Sequence, residues 1–178
     1  TNKGNDKYTF TMPGSKVTVE ATFVKVEEPA DLPFYDVSKS AYYYDAVKWA
    51  VEQGITSGTS ATTFAPDMTC TRAQVVTFLW RANGSPAPKT ASNPFVDVAA
   101  GSYYYDAVLW AVEQGITSGT SATTFAPDMS CTRAQVATFL WRAEGSPAAS
   151  GSNPFVDVVN GAYYADAVLW AAQNGVTS

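Results

Sequence analysis

Apolar residues recur with two different periods along the chain. Over residues 16–24 every second residue is apolar, which predicts a β-strand with one buried face. A partner strand is predicted at residues 8–11, joined to it by the Met-Pro-Gly-Ser turn at 12–15. After residue 33 the apolar period becomes helical. The fold class is therefore predicted to be mainly α, with an N-terminal β-hairpin.

The helical pattern comes in pairs of helices. An apolar stripe is formed by Ala46, Val47, Ala50 and Val51. This stripe predicts a helix over about residues 43–53, with Gly54 as its left-handed stop. A second stripe is formed by Val75, Phe78, Leu79 and Ala82. Its start has the T-x-x-Q form of a capping box, from Thr71 to Gln74. The loop between the helices carries Phe64, which we expect to plug into the core.

This helix-loop-helix unit is repeated. Residues 42–74 and 103–135 are identical except at two positions, Lys48/Leu109 and Thr69/Ser130. The anchor residues of the repeat occur three times, as Phe34, Phe95 and Phe155; Asp36, Asp97 and Asp157; and Trp49, Trp110 and Trp170. The three tryptophans, in mid-helix, are predicted to be core. Because one stripe cannot close a core alone, the repeats are predicted to pack on one another.

The repeat sets the predicted domain boundaries. Residues 1–26 form the hairpin and residues 27–33 a linker with two prolines and three acidic residues. The three repeats follow at 34–88, 89–149 and 150–178, and the last one stops before its loop and second helix. We refer to them as repeats 1, 2 and 3.

Charge and composition narrow the classes of function. The net charge of −5 argues against binding nucleic acid or anionic lipid through bulk electrostatics. No apolar run reaches the length of a membrane span, so no membrane insertion is expected. The chain has no histidine, which excludes histidine-dependent catalysis, and neither a metal site nor a cofactor is predicted.

The two cysteines, Cys70 and Cys131, occupy the same position in successive repeats. A disulfide between them would require equivalent points of two repeats to lie within roughly 7 Å, Cα to Cα. The alternative is that each is a small apolar residue just before a helix. The sequence favours this second interpretation.

Several ordered strings resemble the S-layer homology family. They read FYDV, GITSG, TFAPD and TRAQ in repeat 1, recur in repeat 2 with FVDV as the opening string, and begin again with FVDV in repeat 3. The resemblance spans residues 34–178 and implies a pseudo-threefold bundle with three prongs, here with an incomplete third module. The N-terminal strands resemble the closing hairpin of β-repeats in large bacterial surface proteins.

The resemblance also implies a function. Members of this family anchor exported proteins non-covalently to secondary cell-wall polysaccharides, which are anionic and often carry pyruvylated sugars. The expected location is extracellular, at the bacterial cell wall or surface layer. This chain departs from the family pattern in having Tyr42, Tyr103 and Tyr163 where many members have tryptophan, and Gln74 and Gln135 in place of glutamate.

Arg72 and Arg133 are the strongest candidates for a site. A cation in the first turn of a helix opposes the helix dipole, at a cost of about 0.3–1 kcal/mol. A bound anion, such as the carboxylate of a pyruvate ketal, would offset this cost. An internal pair with Asp36 or Asp97, or with an acidic residue of a neighbouring repeat, would do so too. The resemblance favours ligand contact.

The other candidates surround these arginines. Tyrosines suit stacking on sugar rings, although packing into the core would explain them as well. The recurrence of the aspartates argues against a catalytic carboxylate pair and favours capping or pairing with arginine. The predicted ligand-binding residues are Arg72, Arg133, Gln74, Gln135, Tyr42, Tyr103, Tyr163, Asp36, Asp97, Gly58 and Gly119. Of the tyrosines, Tyr42 is the preferred candidate.

The sequence therefore predicts a non-catalytic wall anchor that binds an anionic polysaccharide in grooves between repeats. The alternative is a structural or protein-interaction module for surface-layer assembly, with homo-oligomers formed through the incomplete third repeat. An enzyme is the least favoured class.

Overall fold

Five α-helices account for the regular structure in the part of the chain that is described. The computed structural model describes residues 14, 31–90 and 92–178. The helices are α1 (Tyr44–Glu52), α2 (Arg72–Ala82), α3 (Tyr105–Glu113), α4 (Arg133–Ala143) and α5 (Ala165–Gln173). The mainly helical class is confirmed for these residues, and none of the five helices is long and apolar enough to cross a bilayer. The predicted hairpin lies outside the described residues.

The helix ends follow local sequence rules. Helix α1 lies within one residue of its predicted bounds, and Gly54 takes a φ of +69° just beyond it. The capping box of α2 is formed as predicted. The Thr71 N–H donates to Gln74 Oε1 at 2.8 Å, and the Gln74 N–H donates to Thr71 Oγ1 at 3.2 Å. Helix α4 has the same box at Thr132 and Gln135.

The loop between the two helices of a repeat is anchored by an aromatic pair. The rings of Phe34 and Phe64 lie 5.8 Å apart in repeat 1, and those of Phe95 and Phe125 lie 5.8 Å apart in repeat 2. Phe125 is fully buried, whereas Phe64 is half-buried. The predicted role of Phe64 as a plug is confirmed, and the tighter copy is in repeat 2.

The repeats pack on one another through their second helices. Helix α2 lies against α3 and α4, and α4 lies against α5. The largest core cluster lies at these junctions and includes Val76, Phe95, Val108, Phe125 and Phe139. Packing between repeats is therefore confirmed, while the pseudo-threefold arrangement stays a prediction.

A short antiparallel pairing joins repeat 1 to repeat 2 just before α2. Thr71 and Ser130 form an isolated β-bridge. On one side of it the Arg72 N–H donates to the Met129 carbonyl at 2.9 Å, and on the other the Cys131 N–H donates to the Cys70 carbonyl at 2.9 Å. Backbone groups thus fix the register between the two repeats.

The prediction that all three mid-helix tryptophans are core residues is wrong for Trp49. Trp110 is 7% exposed and Trp170 is half-buried, but Trp49 is 56% exposed. Helix α2 covers α3, and α4 covers α5, whereas no described helix packs on α1. This tryptophan is buried in α3, which the α2 helix of the neighbouring repeat covers, and exposed in α1, which no described helix covers.

Candidate functional site

Each inter-helix loop is held by the aspartate of the opening string of its repeat. Asp36 accepts the N–H groups of Phe64 at 2.9 Å and Ala65 at 2.7 Å. Asp97 accepts those of Phe125 at 2.8 Å and Ala126 at 2.7 Å. Both carboxylates are thus engaged in capping a loop, which is the role that the sequence favoured over catalysis.

These hydrogen bonds also set the ionisation of the two carboxylates. The pKa of Asp36 is lowered chiefly by the hydrogen bond from Phe64. Burial alone would raise the pKa of Asp97, but the bonds from Phe125 and Ala126, with the charge of Arg72, lower it overall. Both aspartates therefore stay anionic at neutral pH.

Gly58 and Gly119 hold the turn of the same loop. Their φ angles are +82° and +86°, in the left-handed region. A Cβ at Gly119 would lie 2.5 Å from a ring carbon of Phe95 and 2.5 Å from the Thr124 carbonyl oxygen. Gly58 meets Phe34 and Thr63 in the same way. This close approach explains why both positions are occupied by glycine. The contact of either glycine with a ligand stays a prediction.

Arg72 lies in the interior of the junction between repeats 1 and 2. It is 3% exposed, and its Nε–H donates to the Phe125 carbonyl at 2.9 Å. Its guanidinium carbon lies 4.9 Å from the centre of the Phe125 ring and 5.3 Å from that of Phe139. Burial lowers its pKa, an effect opposed by nearby groups that include Asp97. These contacts give Arg72 an internal role, and its predicted ligand contact stays untested.

Arg133, its counterpart in repeat 2, is exposed and lies at the wall of a groove. The groove has a volume of about 760 Å³ and lies between α4 and α5. We call it the Arg133 groove; its lining also includes Asp157, Phe155, Tyr164 and Thr177. One terminal nitrogen of Arg133 donates to the Thr177 hydroxyl at 3.0 Å. The two arginines of the repeated string therefore lie in opposite environments.

A second groove, of about 410 Å³, lies where repeat 2 meets the loop of repeat 1. We call it the Tyr103 groove. It brings together three of the predicted residues, Gly58, Gln74 and Tyr103. Arg81 supplies a cation to its wall, and one of its terminal nitrogens donates to the Ile55 carbonyl at 3.1 Å. The hydroxyl-rich loop at Thr56 and Thr59 lines the remaining side.

The three predicted tyrosines are exposed to different extents. Tyr42 is 98% exposed, while Tyr103 and Tyr163 are 59% and 61% exposed. Each stacks edge-on against the next tyrosine, with ring centres 5.0–5.1 Å apart. Tyr103 lines the second of these two grooves, whereas Tyr42, which the sequence favoured, and Tyr163 line neither of the two. Partial burial raises the pKa of the Tyr103 hydroxyl, which is therefore protonated and uncharged at neutral pH.

Arg81 is the groove residue that sequence reasoning missed. It lies in the last turn of α2, where the helix dipole favours a cation, so the sequence pattern needs no ligand to account for it. The signal that could have identified it is a constant spacing, because the arginine follows the loop isoleucine by 26 residues in both repeats. The copy, Arg142, donates to the Ile116 carbonyl at the same 3.1 Å. The repeat thus uses this arginine to tie the second helix to the end of the first.

These features define a class of protein: a module of tandem helical repeats with shallow grooves at its junctions. Residues 33–76 and 94–137 each match the family model of the S-layer homology domain. The two matched segments are S-layer homology domains, and the resemblance noted in the sequence is confirmed for them. The N-terminal β-repeat and the incomplete third module remain predictions.

Three relatives share this region. The chain is 38% identical over 111 residues to an endoglucanase of Bacillus sp. (strain KSM-635), covering 62% of this chain and 12% of that protein. It is 36% identical over 140 residues to the surface-layer 125 kDa protein of Lysinibacillus sphaericus, covering 78% and 11%. A cell surface protein of Thermoanaerobacter kivui is 31% identical over 120 residues, covering 65% and 16%. The chain thus spans less than a fifth of the length of these relatives.

Proposed function

We propose that this chain anchors an exported protein to the bacterial cell wall by binding an anionic polysaccharide. The observation that carries the proposal is that two grooves at helix junctions each combine an arginine with a tyrosine, Arg81 with Tyr103 and Arg133 with Tyr164. The membership of two segments in the S-layer homology family supports it. So do the surface-layer and cell surface names of two relatives.

The chemistry of the grooves suits an acidic sugar polymer. A guanidinium group carries five N–H donors in a planar fork. Arg81 donates one hydrogen bond to the Ile55 carbonyl, and Arg133 donates one to the Thr177 hydroxyl. The remaining donors match the two oxygens of a carboxylate, such as that of a pyruvate ketal. Each groove is also lined by a tyrosine, a residue whose ring suits stacking on a sugar.

Two weak sites on one chain would bind a polymer more tightly than either site alone. Asp157 lines the Arg133 groove and repels an anion, so that site is expected to be weak by itself. Because the polymer repeats its acidic unit, occupying the Tyr103 groove raises the local concentration of further units near Arg133. The proposed location is accordingly extracellular, at the cell wall or surface layer, and no catalytic step is proposed.

Co-sedimentation with wall sacculi of Lysinibacillus sphaericus tests the proposal. The chain should pellet with intact sacculi, and not after hydrofluoric acid has removed their polysaccharide. Arg81→Ala and Arg133→Ala should each weaken binding, by roughly 10-fold for a charge-assisted hydrogen bond. Mild acid removal of pyruvate should produce a loss at least as large.

Lys89→Ala is the matched control, because it removes one positive charge from a residue that lines neither groove. It should bind like the parent chain. Equal binding by all three folded variants would contradict the proposal, because it would mean that the grooves do not hold the polymer.

The alternative, a protein-interaction module, is favoured by exposed apolar side chains at equivalent positions of the three repeats. Tyr35, Val96 and Val156 are 81%, 82% and more than 100% exposed. Lateral assembly through them would appear as a mass that rises with concentration in light scattering. A constant monomer mass together with sacculus binding favours the wall anchor.

A further inference from the structure

The two thiols of the chain face each other across the junction between repeats 1 and 2. The bridge between Thr71 and Ser130 is antiparallel, so the residues on either side of it, Cys70 and Cys131, are directly opposite. The hydrogen bond from the Cys131 N–H to the Cys70 carbonyl, at 2.9 Å, confirms this register. Directly opposed residues of an antiparallel pair have Cα atoms about 4.5–5.5 Å apart.

This separation meets the condition that the sequence alone could not test. A disulfide requires Cα atoms about 4.4–6.8 Å apart and side chains that leave on the same face of the pairing. Opposed residues in an antiparallel pair satisfy both requirements, because successive side chains alternate between faces. Both cysteines are free thiols in the structure, Cys70 exposed and Cys131 half-buried. A small oxidant in solution can therefore reach Cys70.

From this pairing we infer that Cys70 and Cys131 form a redox-dependent disulfide that staples repeat 1 to repeat 2. The oxidant is a low-molecular-weight disulfide such as oxidised glutathione. The Cys70 thiolate attacks one of its sulfurs and releases one glutathione thiolate, forming a mixed disulfide. The Cys131 thiolate then attacks the Cys70 sulfur and releases the second. Two protein thiols are oxidised, and one small disulfide is reduced to two thiols.

The proposed disulfide would fix the junction between repeats 1 and 2, where the Tyr103 groove lies. Arg72, two residues after Cys70, binds the Phe125 carbonyl, and Cys70 and Gln74 line the Tyr103 groove. Burial raises the pKa of both thiols, and Arg72 partly offsets this at Cys131. Since the thiolate is the attacking species, we expect the bond to form faster in mildly alkaline solution.

The test is to treat the folded chain with oxidised glutathione and analyse it by mass spectrometry and thermal unfolding. The expected product is a monomer that has lost two hydrogen atoms and resists alkylation until it is reduced. Closing a loop of 61 residues should raise Tm by roughly 5–15 °C, and dithiothreitol should reverse the rise. Covalent dimers, or a monomer carrying two glutathiones, would overturn the inference.

A register control separates pairing from mere proximity. In the double variant Ser130→Cys with Cys131→Ser, the second thiol moves by one residue and its side chain leaves on the opposite face. This variant should form a glutathione adduct or a dimer in place of the internal bond. If it closes an internal disulfide as fast as the parent chain, the opposed register is not the cause and the inference fails. Cys70→Ser should show no rise in Tm upon oxidation.

Discussion

Gly119 and Asp97 hold the loop of repeat 2 from two sides. Asp97 accepts the N–H groups of Phe125 and Ala126, which places the Phe125 ring in the core. Gly119 lies where the Phe95 ring and the Thr124 carbonyl come too close for any side chain. The loop of repeat 2 is therefore fixed by contacts within the repeat that need no ligand.

Replacing Gly119 by alanine should destabilise the chain strongly. The added Cβ meets backbone as well as a ring at 2.5 Å, and the φ of +86° adds strain. We expect a loss of about 2–5 kcal/mol in the free energy of unfolding, measured by denaturant titration.

Gly115→Ala is the matched control for that variant. Gly115 also has a positive φ, of +70°, but a Cβ there would meet nothing within 4 Å. It should cost about 1 kcal/mol, the strain alone. Equal losses for the two variants would show that the close approach to Phe95 does not matter.

Helices α1 and α3 show how one sequence acquires two environments. They differ only at Lys48 and Leu109, yet α3 is covered by α2, while no helix in the described ranges packs on α1. Leu109 is accordingly buried, and Lys48 is partly exposed. The one substitution within the helix follows the difference in burial.

Replacing the tryptophan of α1 and that of α3 by alanine should lower the free energy of unfolding by unequal amounts. Trp110→Ala removes a side chain that is 7% exposed, and we expect it to cost about 3–5 kcal/mol of unfolding free energy. Trp49→Ala, on the same local sequence, removes one that is 56% exposed and should cost about 1 kcal/mol or less. Thermal unfolding followed by circular dichroism measures both. A larger loss for Trp49→Ala would contradict the packing described for α1.

Local features were predictable from sequence, and features set by a neighbouring repeat were not. The capping box at Thr71 and the stop at Gly54 each depend on a few adjacent residues, so the pattern alone predicts them. The plug at Phe64 is predictable because it is the one large residue of a polar loop, although the Phe34 ring that it contacts lies far away in the sequence. Trp49 and Arg72 depend on what lies across the junction. Their copies have nearly identical flanking residues, and the one difference that follows burial is Lys48 against Leu109, beside Trp49 and Trp110.

The connection between repeats rests on Arg72 and the backbone pairing beside it. Its Nε–H satisfies the buried Phe125 carbonyl, and its guanidinium lies over two aromatic rings that belong to repeat 2. A cation stacked in this way away from water contributes up to about 2 kcal/mol for each good contact. Repeats joined by such contacts are expected to unfold together.

Arg72→Ala and Arg133→Ala should therefore separate stability from binding. The first leaves the Phe125 carbonyl unpaired and a void beside Phe139, so we expect a loss of about 3–5 kcal/mol and a broader unfolding transition. The second alters an exposed side chain and should change stability by about 0.5 kcal/mol or less. Chemical denaturation measures both, and sacculus binding of the folded variants completes the comparison. If Arg133→Ala proved the more destabilising of the two, the internal role of Arg72 would be wrong.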